Sequence, residues 1–256
     1  MAARSRASLA DESPQDTVDP ATGRLSALEG RFARFHPAAA VASVAVSGYV
    51  AICLVFAGMG LLDHVNRWFA GNRTSSMNGW TDHATKVADT SGILVVLVAA
   101  IIVLLVFRLR WDAVFLAVAL GLELLTFLSI NYLVGRPRPD VERLGSLPST
   151  SSFPSGHAAA MLALYGGLAV IVSTRLRARV AAVVCWIIAV LATAAIGVAR
   201  VYRGMHHPSD VAAGALLGLA VLGVALVAVR TGEMAAAERR RRRAPAGRPF
   251  DPELAP

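Results

Sequence analysis

Long apolar runs broken by three short polar islands set the pattern of this chain. Crossing a bilayer takes about 20 predominantly apolar residues. Six segments approach that length: Val41–Leu62, Ile93–Phe107, Ala113–Val134, Ala158–Thr174, Val180–Val198 and Val211–Val229. The pattern predicts six membrane helices in an all-α bundle. The second segment is short, and extending it to Ser91 and Leu109 brings it to length without burying a charge. Glu123 is the one acid inside a predicted span, and it is expected to face other helices, because lipid cannot solvate a carboxylate.

Composition agrees with the pattern. Hydrophobic residues make up 55% of 256 positions and charged residues 16%, and the mean hydropathy is +0.57, which excludes an ordinary soluble domain. The two cysteines, Cys53 and Cys185, both fall inside predicted spans and imply no disulfide framework. Lipid-facing and partner-facing apolar surfaces look alike in sequence, so oligomeric state is not legible.

Charge then orients the bundle. The first 34 residues lack the early apolar stretch of a cleavable signal, so the first span is expected to act as an uncleaved insertion signal with the amino terminus in the cytoplasm. In that arrangement 17 of the 25 Lys and Arg residues fall on the cytoplasmic side, as short inner loops prefer. Both termini are inside, and all three islands face the extracytoplasmic side of the plasma membrane. The expected domains are a cytoplasmic tail over 1–35, the membrane domain over 36–231 and a basic tail over 232–256. The first tail is expected to be disordered up to Gly23. Leu25, Leu28, Phe32 and Phe35 then recur at helical spacing, which suits either an interfacial helix or an extension of the first span. Arg239–Arg243 read as a topology anchor among membrane lipids, so the pI near 10.6 requires no nucleic-acid partner. The loop from Asp63 to Asp89 carries Trp68, Phe69 and Trp80, of the type that anchors at the interface, and can also form part of a mouth over a site.

The islands carry the chemistry. They are Gly135-Arg136-Pro137-Arg138-Pro139, Phe153-Pro154-Ser155-Gly156-His157 and Arg200 to Asp210. Arginines, histidines and one acid at the ends of membrane helices fit a phosphate site. Ser155-Gly156-His157 opens the fourth span, where free backbone N–H groups and the helix dipole attract an anion. Ser155 can cap that helix or donate its hydroxyl, and Gly156 lets the backbone approach closely. Asp210, four residues after His206, can fix the imidazole tautomer and stabilise the cation formed when the other ring nitrogen attacks. Arg200 offers a planar fork of donors matched to phosphate oxygens. His206, His207 and Asp210 could also ligate a metal, but the neighbouring arginines favour an anion over a dication.

These islands resemble the type 2 phosphatidic acid phosphatase (PAP2) superfamily, membrane lipid-phosphate phosphatases related in fold to glucose-6-phosphatase and the vanadium haloperoxidases. The family signature is Lys followed seven residues later by Arg-Pro, then Pro-Ser-Gly-His, then Ser-Arg with His six residues on and Asp four further. The second and third elements match at every catalytic position. The resemblance covers about Asp63 to Val229. It implies a six-transmembrane-helix bundle of the PAP2/haloperoxidase type. It also implies a metal-independent, cofactor-free hydrolase acting on a lipid phosphate or diphosphate through a phosphohistidine. His206 is then the nucleophile, Asp210 its partner and His157 the general acid. Arg138, Arg200, Ser155 and the Gly156 backbone hold the phosphate oxygens.

Two positions depart from the signature. Asn131 stands where the family has Lys, and Ala199 where it has Ser. Arg136 and Arg143 are the candidates to replace the missing charge, with Lys86, the single lysine, as a further one. The expected substrate is a polyprenyl (undecaprenyl) diphosphate or a phosphatidate-type lipid, with the preference for the isoprenoid resting on family analogy alone. The alternative is a lipid-phosphate binding or transport protein of the same fold with impaired catalysis, motivated by Asn131 and Ala199.

Overall fold

The computed structural model describes residues 62–243 apart from 147, 148 and 177, together with the isolated position 48. The first predicted span apart from Gly48 and Leu62, the amino-terminal tail and residues 244–256 lie outside the described residues. Among the described residues every regular element is a helix. In chain order these are α1 (Asp63–Gly71), α2 (Ser75–Val87), α3 (Thr90–Val106), α4 (Arg110–Val134), α5 (Gly156–Arg175), α6 (Arg179–Tyr202) and α7 (Pro208–Arg243).

Four of them, α4 to α7, are long and apolar enough to cross a membrane, and α2 with α3 forms a fifth candidate bent by 48°. The described chain is thus a multi-pass membrane protein with four or five candidate spans, against the six expected. One expected span lies outside the described residues. The break between α2 and α3 falls at Ala88 and Asp89, where Asp89 is extended and cannot continue the helix. The last helix also departs from expectation. It runs to Arg243, through the first part of the predicted basic tail, helped by the i,i+4 pair Glu238–Arg242 at 2.7 Å.

Local sequence explains where the helices stop. α4 ends at Gly135, which takes the left-handed conformation (φ +57) that most side chains avoid, and Pro137 and Pro139 keep the following chain extended. α7 begins on Pro208, whose missing N–H is no loss at a first helical position. Thr74 caps α2 by accepting from the Met77 N–H at 3.3 Å.

α5 is the centre of the bundle. Its most apolar stretch is 56% buried, against 22% for that of α6. Leu116 and Ala119 of α4, Ala159, Ala163 and Leu164 of α5 and Val221 and Ala225 of α7 form the middle of the core. Val95, Val98 and Ile102 on α3 and Ile187, Ile188 and Leu191 on α6 are exposed, as a lipid-facing surface requires. Glu123 faces inward and is 4% exposed.

α5 and α7 cross closely because α7 presents glycine at the contact. A Cβ at Gly214 would lie 2.3 Å from the Ser155 carbonyl oxygen, and one at Gly218 would lie 2.8 Å from that of Ala159. Far from the islands, buried Asp112 accepts from Arg175 Nε at 2.7 Å and Arg230 Nη2 at 3.3 Å, tying α4, α5 and α7 together. The close crossing makes a prediction. Gly214→Ala lowers the thermal unfolding midpoint in detergent, by the equivalent of about 1–3 kcal/mol of overpacking. Gly223→Ala on the same helix, where a Cβ meets nothing within 4 Å, leaves it unchanged. Equal effects of the two changes would contradict the packing.

Candidate active site

The C-terminal ends of α4 and α6 and the N-terminal ends of α5 and α7 meet at one end of the bundle, so all three islands converge. The Ser155 N–H donates to the Asp210 carbonyl at 2.9 Å, and the Ser152 N–H to the Arg136 carbonyl at 2.9 Å. Arg138 donates to the Met205 carbonyl through Nη1 and to the Thr150 carbonyl at 3.1 Å through Nη2. These bonds lock each island to the other two.

Asp210 is the hub. Its side chain is fully buried, and a carboxylate out of water needs several donors. Arg136 Nη1 donates to Oδ1 at 2.6 Å, the Ser152 hydroxyl donates to Oδ2, and the His207 N–H donates to Oδ2 at 2.8 Å. The His206 ring nitrogen Nδ1 lies 3.7 Å from Oδ2. Its nearer acceptor is the Ser152 carbonyl, at 2.7 Å. A carbonyl only accepts, so it places the proton on Nδ1 and leaves Nε2 as the nitrogen with a lone pair. Tautomer control, expected of Asp210, thus falls first to a backbone oxygen, with the carboxylate as a neighbouring charge. Burial holds the His206 ring below the ordinary imidazole value, and Asp210 pulls it the other way.

A cavity of about 310 Å³ opens beside this hub, with Arg138, Gly156, His157, Arg200 and His206 in its wall. Arg200 is 4% exposed, and its side chain makes no hydrogen bond or ion pair with the described residues; its Nε is fully enclosed. The Ser155 hydroxyl is likewise buried without a partner. Ser155 therefore does not cap α5, although its backbone starts the helix. Enclosed donors without acceptors are costly unless something anionic joins them. An anion held in the cavity would meet the Arg200 guanidinium and the positive end of α5 together.

His157 brings a residue that the sequence reading did not single out. Its Nε2 lies 2.9 Å from Oδ1 of Asp89, at the break between α2 and α3. The partners are 68 residues apart, and an Asp before a helix reads as a simple cap, so no local signal marked it. The segment before α3 also braces the third island. Asn66 donates to the His206 carbonyl at 2.9 Å, Asp63 pairs with His207 Nδ1 at 2.9 Å, and Asp82 pairs with Arg203 at 3.1 Å. Phe69 packs edge-on against Tyr202, whereas Trp68 and Trp80 are exposed.

The candidates for the missing lysine charge are not brought into the cavity wall. Asn131 uses its amide on the loop before α5. It donates to the Ser151 and Phe153 carbonyls at 3.1 Å each and accepts from the Ser151 N–H at 3.0 Å. Arg136 is spent on Asp210 and on the Ser209 hydroxyl at 2.8 Å. Arg143 is exposed, and Lys86 is an exposed partner of Asp82 at 2.7 Å. Arg138 and Arg200 are the cations in the wall.

Comparison with known proteins accords with this arrangement. The PAP2 superfamily profile matches residues 112–233. Phosphatidylglycerophosphatase B of Bacillus subtilis strain 168 is 30% identical over 118 residues, 44% of this chain and 56% of the relative. The chain thus spans a little over half the length of that relative. The structure of a transmembrane PAP2-type phosphatidylglycerolphosphate phosphatase from Bacillus subtilis superposes with a TM-score of 0.64 at 21% identity, covering 79% of this chain and 98% of that one. That of LpxE from Aquifex aeolicus gives 0.52 at 26% identity, covering 65% of this chain and 95% of that one.

Two measurements test the geometry. Inorganic phosphate at saturating concentration raises the thermal unfolding midpoint of the detergent-solubilised chain, Arg200→Leu removes the rise, and Arg143→Leu keeps it. Absence of any shift in the unmodified chain would argue against an anion cup. Asn131→Lys strips the loop of three hydrogen bonds and lowers stability by about 1–3 kcal/mol rather than supplying a phosphate ligand.

Proposed function

We propose that this chain, whose residues 112–233 match the PAP2 superfamily profile, hydrolyses a membrane lipid phosphate or diphosphate at the extracytoplasmic face, through a phosphohistidine and without a metal ion. One observation carries the reading. The unmatched guanidinium of Arg200 lies in the wall of the cavity that Arg138, His157 and His206 also line, and the unpartnered Ser155 hydroxyl is buried next to Gly156 of that wall.

In this mechanism Nε2 of His206 attacks phosphorus as the bond to the lipid oxygen breaks. The His157 imidazolium, stabilised by Asp89 at Nε2, gives a proton to that oxygen, and the dephosphorylated lipid leaves. A water then attacks the phosphohistidine, His157 takes its proton, and the P–N bond breaks to release inorganic phosphate and free His206. Arg138, Arg200, Ser155 and the first turn of α5 stabilise the charge on the equatorial oxygens, the role metal ions fill elsewhere. Asp210, neutralised by Arg136, stabilises the His206 cation. The excess of cationic residues on the side opposite the islands supports an extracytoplasmic site with both termini inside. The alternative of a non-catalytic lipid-phosphate binder rests on Asn131, whose amide is committed to the loop.

Turnover decides between them. Purified protein in detergent with chelator releases phosphate from a panel of lipid phosphates, and His206→Ala removes both that release and the acid-labile phosphoenzyme; binding without release would select the alternative. Because burial lowers the His206 value from 6.5, the neutral nucleophile persists below that pH, so the acid limb of kcat/KM lies below pH 6.5 and activity falls as pH drops through it. Asp89→Asn lowers kcat about tenfold or more for alkyl phosphates and much less for a nitrophenyl phosphate, whose leaving oxygen needs no proton. Equal loss on both would remove Asp89 from the proton path.

A further inference from the structure

Glu123 stands in the wall of the same cavity, and the proposed hydrolysis does not use it. It is 4% exposed and makes no hydrogen bond or ion pair with the described residues. Around it the wall is apolar: Ile93 and Leu97 from α3, and Leu120, Leu124 and Phe127 from α4. A carboxyl inside a membrane bundle is expensive in either protonation state unless a polar group meets it, and such residues mark ligand pathways. The described residues supply no such group here.

Its position relative to the cup says where the partner must sit. Phe127 touches Gly156, the ring lying 3.0 Å from where a Cβ on that glycine would stand. Glu123 is one helical turn, about 6 Å, further into the bundle along α4. A substrate with its phosphate among Arg200, Gly156 and His206 would bring the first few atoms beyond the ester oxygen to that depth.

The geometry points to Glu123 as a specificity-determining residue that hydrogen-bonds a hydroxyl group on the lipid, a few bonds beyond the scissile ester. This assignment rests on the proposed phosphatase reading. A hydroxyl both donates and accepts, so it pairs with the carboxyl whether ionised or protonated. An ester carbonyl pairs with the protonated form alone, and a hydrocarbon chain with neither. An isoprenyl phosphate, hydrocarbon immediately after the ester, would leave the carboxyl buried and unmatched.

The test uses two substrates that differ by one group: a monoacylglycerol phosphate with a free 2-hydroxyl and its 2-deoxy analogue with the same acyl chain. The full-length protein in detergent is expected to prefer the hydroxyl lipid by about 10- to 100-fold in kcat/KM. Glu123→Leu brings the ratio near one, and the isosteric Glu123→Gln, which still donates and accepts, keeps most of it. A ratio near one in the unmodified enzyme overturns the assignment. So does a Glu123→Leu variant that slows both substrates by the same factor. If neither lipid releases phosphate, the hydrolase reading fails separately. The same pair, read by thermal shift, then decides the role of Glu123. A larger shift with the hydroxyl lipid that Glu123→Leu abolishes supports it, and equal shifts overturn it.

Discussion

Removing a carboxylate from water obliges the fold to surround it with donors, and Asp210 has no exposed side-chain surface at all. Its donors come from the first island through Arg136, from the loop before α5 through the Ser152 hydroxyl, and from its own segment through the His207 N–H. No two of the islands can move apart without stranding that charge. The same requirement orients His206, because the loop that brings the Ser152 hydroxyl to Asp210 also brings the Ser152 carbonyl to His206 Nδ1.

Around this hub the fold separates two kinds of arginine. Arg136 and Arg203 are buried against carboxylates and hold the scaffold, whereas Arg200 is buried against a cavity with its donors unmatched. Burial alone does not distinguish them. What distinguishes them is whether the chain itself completes the charge or leaves it to a ligand. Asn131 belongs with the first kind despite its place in the family signature, since its amide closes the loop that carries Ser151 to Phe153. The cavity wall therefore carries two guanidinium groups, those of Arg138 and Arg200, beside the first turn of α5.

The rigid part of this arrangement lies in the crossing of α5 and α7. Glycines at 214 and 218 let the helices approach until backbone touches backbone, which brings the Ser155 N–H within bonding distance of the Asp210 carbonyl. At the other end of the bundle Asp112 ties α4, α5 and α7 through Arg175 and Arg230. Both ends are pinned by buried polar bonds, so the apolar middle needs no specific contacts beyond good packing.

Run length and composition by themselves determined the membrane helices α4 to α7, because an apolar stretch of that length has one stable environment. The three islands were legible for the same reason, since charged residues at membrane-helix ends need a cause. The inward orientation of Glu123 was legible too. Tertiary structure alone decided the rest. A side chain's partner is chosen by which chain segments pass within 3 Å of it, and sequence separation carries no record of that. Asp89 meets His157 across 68 residues, Arg136 meets Asp210 across 74, and Asn131 turns to a loop 20 residues on. The break between α2 and α3 was likewise hidden, because its polar residues read as a loop until Asp89 was seen to leave the helix and face the site.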